Sequence, residues 1–250
     1  KRSVVISAEG NTENLIKNII VLKSIVDEII VVGYQLTNIL IEQVKLYGAK
    51  VVNIDKSLGI HVSRAIGASH CSGNVILFID GNLSITTKEI LPFFIAAEKN
   101  KGIILNNTEY LLDLIQPMDT LSSIKYFLNI ACKQPHLLNS SLNSVPHVIH
   151  RNVLDKIGLK DLVIPPLFYI KAILENYSID APHPVKITNN YDVSTLSVSD
   201  VDKYKAFDVF LGDHLEAFDY LIKCTNERGL FYDANKNRKL IRELRNKNDI

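Results

Sequence analysis

Three cysteines in 250 residues, Cys71, Cys132 and Cys224, are too few and too far apart for a disulfide framework. They form no Cys-x-x-Cys pair, which also excludes a thiolate zinc site, and they read as reduced side chains of a cytoplasmic protein. Charge of one sign is lacking as well. Formal net charge is +1, so no global excess points to nucleic acid as a partner. No apolar run approaches the roughly 20 residues that a bilayer requires. The longest candidate, residues 15–32, is broken by Lys17, Lys23, Asp27 and Glu28. No signal-peptide pattern precedes the first strand, and repeats and low-complexity tracts are missing. The one local charge run is basic, residues 235–247. It reads as a solvated helix face or as a peripheral contact with a membrane surface.

What is present is ordinary globular material, 47% hydrophobic and 22% charged, in a chain long enough to bury its own core. Short β-branched runs at 3–7, 28–32, 50–54 and 75–79 predict four strands buried on both faces. Between them, residues 15–23, 37–47 and 61–70 carry helical patterns closed by Gly or polar residues. Strands alternating with helices predict a parallel sheet covered on both sides, with ligands bound beyond the carboxyl ends of the strands. A capped helix over 86–100 and a strand over 102–106 follow. Further helices are expected over 120–132, 164–176 and 203–224, with a strand turning into a helix over 145–158. Residues 134–144 and 189–201 read as polar loops, and 177–187 as an extended segment interrupted by Pro.

Four blocks of the first 106 residues resemble family 2 glycosyltransferases with the GT-A fold. They are Ala8-Glu9-Gly10-Asn11 after the first strand, Glu-Ile-Ile-Val-Val at 28–32, Arg64-Ala65-Ile66-Gly67-Ala68, and an apolar strand ending in Asp80-Gly81-Asn82. The resemblance implies a three-layer α/β sandwich on a mainly parallel sheet. It implies a nucleotide-sugar-binding half over 1–106, and an acceptor half with the carboxyl-terminal helices over 107–250. It also implies transfer of a sugar from a nucleotide-diphosphate donor to an unidentified acceptor, with Mn or Mg assisting. Ala8, Glu9, Gly33, Tyr34, Arg64, Asp80, Gly81 and Asn82 would then line the donor site. Departures from the family pattern are equally visible. Gly33-Tyr34-Gln35 replaces an acidic block after the second strand, Asn82 replaces a carboxylate, and Pro165-Pro166 stands where a catalytic acid is expected.

A diphosphate leaving group must be neutralised, and a cation held by oxygen ligands does this. Asp80 at a strand end is the natural first ligand, with Asn82 able to add an amide oxygen; the plain alternative is a polar turn. His214 is the third ligand implied by the resemblance, with Asp213 beside it as a ligand or orienting group; a helix cap and an ordinary His are the alternative. As a general base for the acceptor hydroxyl, Asp161 is nearest in sequence to the place where the family keeps its acids, with Asp213 and Glu216 as the alternatives. Arg64 suits phosphate or a bonded carboxylate. His147 and His150 at strand spacing point to opposite faces and make a poor metal pair. Arg228-Gly229 reads as a phosphate-facing loop or a helix cap. Two other functions remain open: an impaired pseudoenzyme that keeps the nucleotide, and a nucleotidyltransferase. The latter is disfavoured because residues 7–13 hold no Lys or Arg.

Overall fold

The computed structural model describes residues 1–9, 12–56, 58–114, 117–187, 200–232 and 237–247. Its first half alternates as the pattern requires: β1 (Arg2–Ala8), α1 (Leu15–Leu22), β2 (Glu28–Tyr34), α2 (Asn38–Leu46), β3 (Lys50–Ile54), α3 (Ile60–His70), β4 (Val75–Asp80), α4 (Thr87–Asn100) and β5 (Ile103–Asn106). The second half adds α5 (Tyr110–Leu114), α6 (Thr120–Ala131), β6 (His147–His150), α7 (Arg151–Ile157), α8 (Pro165–Leu174), β7 (Ile179–His183), α9 (Asp200–Cys224) and α10 (Arg238–Lys247). The short α5 has too little periodic pattern to be expected. The Pro-interrupted segment at 177–187 contributes an edge strand, β7, where Pro costs no ladder bond on its free side.

Seven strands form one sheet in the order β3-β2-β1-β4-β6-β5-β7. All pairings are parallel except those of β6, which runs antiparallel between β4 and β5. Strands from before and after residue 107 therefore share the sheet. On one face Val4, Ile6, Val31, Leu77 and Ile79 pack against α1, α2 and α4 through Leu15, Ile19, Val44, Phe93 and Phe94. On the other Val5, Val32, Ile76, Phe78 and Ile149 meet α3, α6, α7, α8 and α9 through Ala65, Ala68, Leu128, Val153, Phe168 and Ala217. Alternate strand residues serve opposite faces because the side-chain period is two.

Two local features set the geometry of the site. Gly67 on α3 faces β1 and β2, and a Cβ there would collide with the side chains of Val5 and Val32. The missing side chain lets α3 lie close to the sheet. The loop over 138–144, polar by sequence, is buried at Asn139, Ser140, Ser141, Leu142 and Ser144. Its backbone carbonyls at Leu138 and Ser140 accept from Asn129 Nδ2 of α6, at 2.7 and 3.0 Å. A polar segment can be buried when its groups are bonded in this way.

Candidate donor site at the carboxyl ends of β1 and β4

β1 and β4 lie side by side in parallel register, with Ser7 opposite Asp80. Past Asp80 the chain turns at once: Gly81 N–H donates to Ser7 O at 2.8 Å, and Leu83 N–H to Asp80 O at 3.1 Å. A Cβ on Gly81 would stand 3.3 Å from Ser7 O, so the close approach of the two strand ends favours glycine. α1 holds the turn from the opposite face. Asn14 Nδ2 donates to Asn82 O at 2.7 Å, and Asn18 Nδ2 to Leu83 O at 2.6 Å. The Asp80-Gly81-Asn82 loop is thus pinned by β1 and α1 together.

Asp80 is 5% exposed and follows Ile76 and Phe78 onto the α3 face. Its Oδ1 accepts from Arg64 Nη2 at 3.0 Å, and Arg64 is itself buried. Arg64 Nη1 lies 3.3 Å from His61 Nδ1. Because guanidinium only donates, Nδ1 of His61 is the accepting nitrogen and the neutral ring carries its proton on Nε2. Burial, and then the charge of Arg64, lower the His61 pKa to about 3. Across the sheet, His147 stacks on Phe78 with ring centroids 5.0 Å apart, and its Nδ1–H donates to Ser144 O at 2.8 Å. Burial, then Arg64, hold its pKa at about 3. Two neutral imidazoles of opposite tautomer therefore flank the guanidinium that pairs with Asp80. Ser7 Oγ, on the same face, is buried with no hydrogen-bond partner. Ser63 Oγ of α3 donates to Glu9 Oε1, tying the chain after β1 to the same helix.

Of the residues expected to bind a donor, Ala8, Glu9, Arg64, Asp80, Gly81 and Asn82 are brought together at one end of β1, β4 and α3. Gly33 pairs with Ala8 one strand over, and the half-buried Tyr34 closes β2 before a left-handed Gln35. Gly10 and Asn11 of the first block, and residues 189–199 of the expected polar loop, lie outside the described residues, while its last two residues, 200 and 201, already belong to α9. His61, Ser7 and Ser63 were not singled out from sequence. For His61 the i,i+3 spacing to Arg64 was the available signal.

The remaining candidates lie elsewhere. Asp161 accepts from Lys171 Nζ at 2.7 Å and is nearly buried. His214, in mid-α9, donates from Nδ1 to Phe210 O at 2.8 Å and packs on the Phe210 ring at 4.2 Å. Its Nε2 is buried without a partner, and burial lowers its pKa to about 4. Burial, then Glu216, push the half-buried Asp213 carboxyl up to about 6. Among the described residues, no three His, Cys, Asp or Glu side chains are placed to hold a metal ion together. His150 caps α7 by accepting from Asn152 N–H, apart from the buried His147. Gly229 takes a left-handed turn after α9, and Arg228 beside it lines a cavity with Glu227 and Arg242.

No protein-family model matches the chain, and a search of curated proteins finds no match. Solved structures do match in fold. Glucosyl-3-phosphoglycerate synthase from Mycobacterium tuberculosis bound to uridine diphosphate superposes with a TM-score of 0.60 at 15% identity, over 86% of this chain and 80% of that one. The same enzyme with Mn2+, UDP-glucose and phosphoglyceric acid gives 0.58 at 14% identity, over 86% and 79%. Another structure of M. tuberculosis glucosyl-3-phosphoglycerate synthase gives 0.59 at 15% identity, over 93% and 82%. The fold of this chain is that of GT-A nucleotide-diphospho-sugar transferases.

Proposed function

We propose that this protein is a glycosyltransferase that takes a sugar from a nucleotide-diphosphate donor and passes it to an unidentified acceptor. The supporting observation is the pinned Asp80-Gly81-Asn82 turn, where a carboxylate and the Arg64 guanidinium meet at the carboxyl ends of β1 and β4. In an open α/β sheet that edge is where ligands bind. The similar structures hold uridine diphosphate, UDP-glucose and Mn2+ or Mg2+, which makes a UDP-sugar the first donor to test. Residues 1–106 supply the donor half of this reading, and 107–250 the acceptor side.

The chain's own groups would act in three ways. Glu9, Gly33 and Tyr34 border the place of the nucleoside. Gly81, lacking a side chain, lets a diphosphate approach the backbone. Arg64 keeps the Asp80 carboxylate oriented. The carboxylate of Asp80 and the amide oxygen of Asn82 are donors suited to a hard divalent cation, at lower charge than two carboxylates would offer. When bound, such a cation neutralises the leaving diphosphate. His214 keeps the tautomer that frees Nε2 for a ligand, but inside the α6–α9 contact. As proton acceptor we retain Asp213, whose raised pKa suits exchange near neutral pH. Asp161 is already committed to Lys171. A cytoplasmic location, in keeping with three free thiols, belongs to the same reading.

Calorimetric titration with UDP, UDP-glucose, GDP-sugars and dTDP-sugars, with and without Mn2+, tests the proposal. Metal-dependent binding and donor hydrolysis are expected, and both should be lost in Asp80→Ala. A protein indifferent to every nucleotide refutes the reading. Tight binding without turnover favours the second reading, a nucleotide-binding pseudoenzyme, which the engaged Asp80 and Asp161 carboxylates also favour.

A further inference from the structure

α10 leaves its apolar side largely uncovered. Its sequence, RKLIRELRNK, carries five basic residues against one acid. Leu240, Ile241 and Leu244 fall within an arc of roughly 100° on a helical wheel, the width of a core-facing stripe. A helix that packs on its domain buries that stripe. Here Leu240 is 47% exposed, Ile241 62% and Leu244 49%. Two ion pairs from its charged side tie the helix to the body. Arg238 Nη1 pairs with Glu227 Oε2 at 2.5 Å, and Arg242 pairs with Glu227 Oε1.

The surroundings match a wet, charged interface. Arg245 borders the apolar stripe on the wheel next to Ile241, and Lys239 lies further round. Tyr232, 85% exposed, stands at the junction of α10 with the body. There a cavity of about 440 Å³ is lined by Asn226, Glu227, Arg228, Phe231, Tyr232 and Arg242. Exposed aliphatic side chains beside cations, with a tyrosine at the rim, are the makings of a helix that lies in a lipid interface. Among the described residues no helix is long and apolar enough to cross a membrane, so the contact is with the surface alone.

We propose that α10 docks this protein onto an anionic lipid surface, its Leu240–Ile241–Leu244 stripe entering the headgroup boundary and its cations meeting lipid phosphates. Charge decides between this occupant and a second copy of the chain. Pairing two α10 helices through the stripe would bring two strongly basic segments together, whereas an anionic bilayer offers both hydrocarbon and opposite charge. The inference is independent of the donor-site reading, and its test uses no nucleotide.

Flotation of the full chain with phosphatidylcholine vesicles, and with vesicles of phosphatidylcholine plus phosphatidylglycerol, provides the measurement. The anionic lipid is expected to raise the bound fraction on the order of tenfold or more, an effect weakened by salt. Leu240→Ser with Leu244→Ser should abolish binding, and Lys239→Glu with Arg245→Glu should remove the preference for anionic lipid. Both double variants should keep the circular dichroism of the parent, since the changed side chains touch solvent. Failure to float with anionic vesicles overturns the proposal, as does binding that the leucine substitutions leave intact. Self-association in solution that those substitutions abolish would also overturn it, by assigning the face to a second copy.

Discussion

Arg64 and Asp80 form an ion pair of 3.0 Å in which both side chains are almost fully removed from solvent. The pair joins α3 to the end of β4, and His61 and His147 flank it as neutral rings. A pair this buried does not by itself argue for stability, because desolvation offsets its attraction. Breaking it is another matter. Arg64→Ala would remove the buried guanidinium that pairs with Asp80 Oδ1, at a cost of up to ~3–5 kcal/mol in urea unfolding. Arg64→Lys restores charge but not the planar fork and should recover only part of that loss. Under the transferase reading, nucleotide affinity should fall in the lysine variant more than stability does.

Gly67 governs how deeply α3 sits. Gly67→Ala places a methyl group against Val5 and Val32, so the helix must move outward. Overpacking of this kind costs ~1–3 kcal/mol. Because Arg64 lies one turn away on the same helix, the shift should also loosen its bond to Asp80. A donor affinity lowered in step with stability in Gly67→Ala, but unchanged in the exposed Ser69→Ala, would be the expected pattern.

Three imidazoles make the fold acid-sensitive. In the unfolded chain His titrates at about 6.5. In the folded protein His61 and His147 are held at about 3 and His214 at about 4, by burial first. The unfolded state therefore takes up protons that the native state refuses. Their contribution is fully present above about 6.5 and is lost progressively as pH falls toward 4 and below. Asp213, raised to about 6, acts with opposite sign: its native carboxyl keeps a proton longer, so it favours folding as pH falls. The unfolding free energy from urea titrations between pH 7.5 and 5 should fall with a slope that approaches about two protons near pH 5, three imidazoles less the Asp213 carboxyl. His214→Leu should flatten that slope by about one.

Much of the sheet was legible because β-branched runs bounded by turn residues have few alternatives to parallel strands; the bounds of β3 are those expected, but as an edge strand it is only partly buried where burial on both faces was expected. The position of Asp80 at a strand end was legible for the same reason. Its partner was not. Whether Arg64 faces a ligand or a carboxylate depends on the depth of α3, which Gly67 sets through contacts distant in sequence. The loop over 138–144 looked exposed because small polar residues carry no sign of Asn129, whose amide satisfies it. α10 shows the same limit from the other side. Its amphipathic pattern was readable, but its ion pairs with the body depend on Glu227, outside the helix.

The loop over 138–144, just before His147 and β6, hangs on a short chain of side-chain bonds. Tyr169 O–H, from α8, donates to Asn129 Oδ1 at 2.5 Å, and Asn129 Nδ2 donates to the carbonyls of Leu138 and Ser140. Thr108 Oγ1, just after β5, reaches Asn139 Oδ1 at 3.2 Å, and Ser144 O at the far end receives the His147 proton. Tyr169→Phe removes one donor but leaves both carbonyls satisfied, so a loss of ~1 kcal/mol is expected. Asn129→Leu leaves two buried carbonyls and the tyrosine hydroxyl without partners, which should cost at least ~3 kcal/mol. The two variants differ in what they do to the imidazole. With Ser144 still in place, Tyr169→Phe should retain the Nδ1–H tautomer of His147 in its ¹⁵N spectrum. Asn129→Leu, by releasing the loop, should let the ring exchange tautomers and raise its pKa toward the ordinary value. Retention of a single tautomer in Asn129→Leu would show that Ser144 is held by contacts other than this chain of bonds.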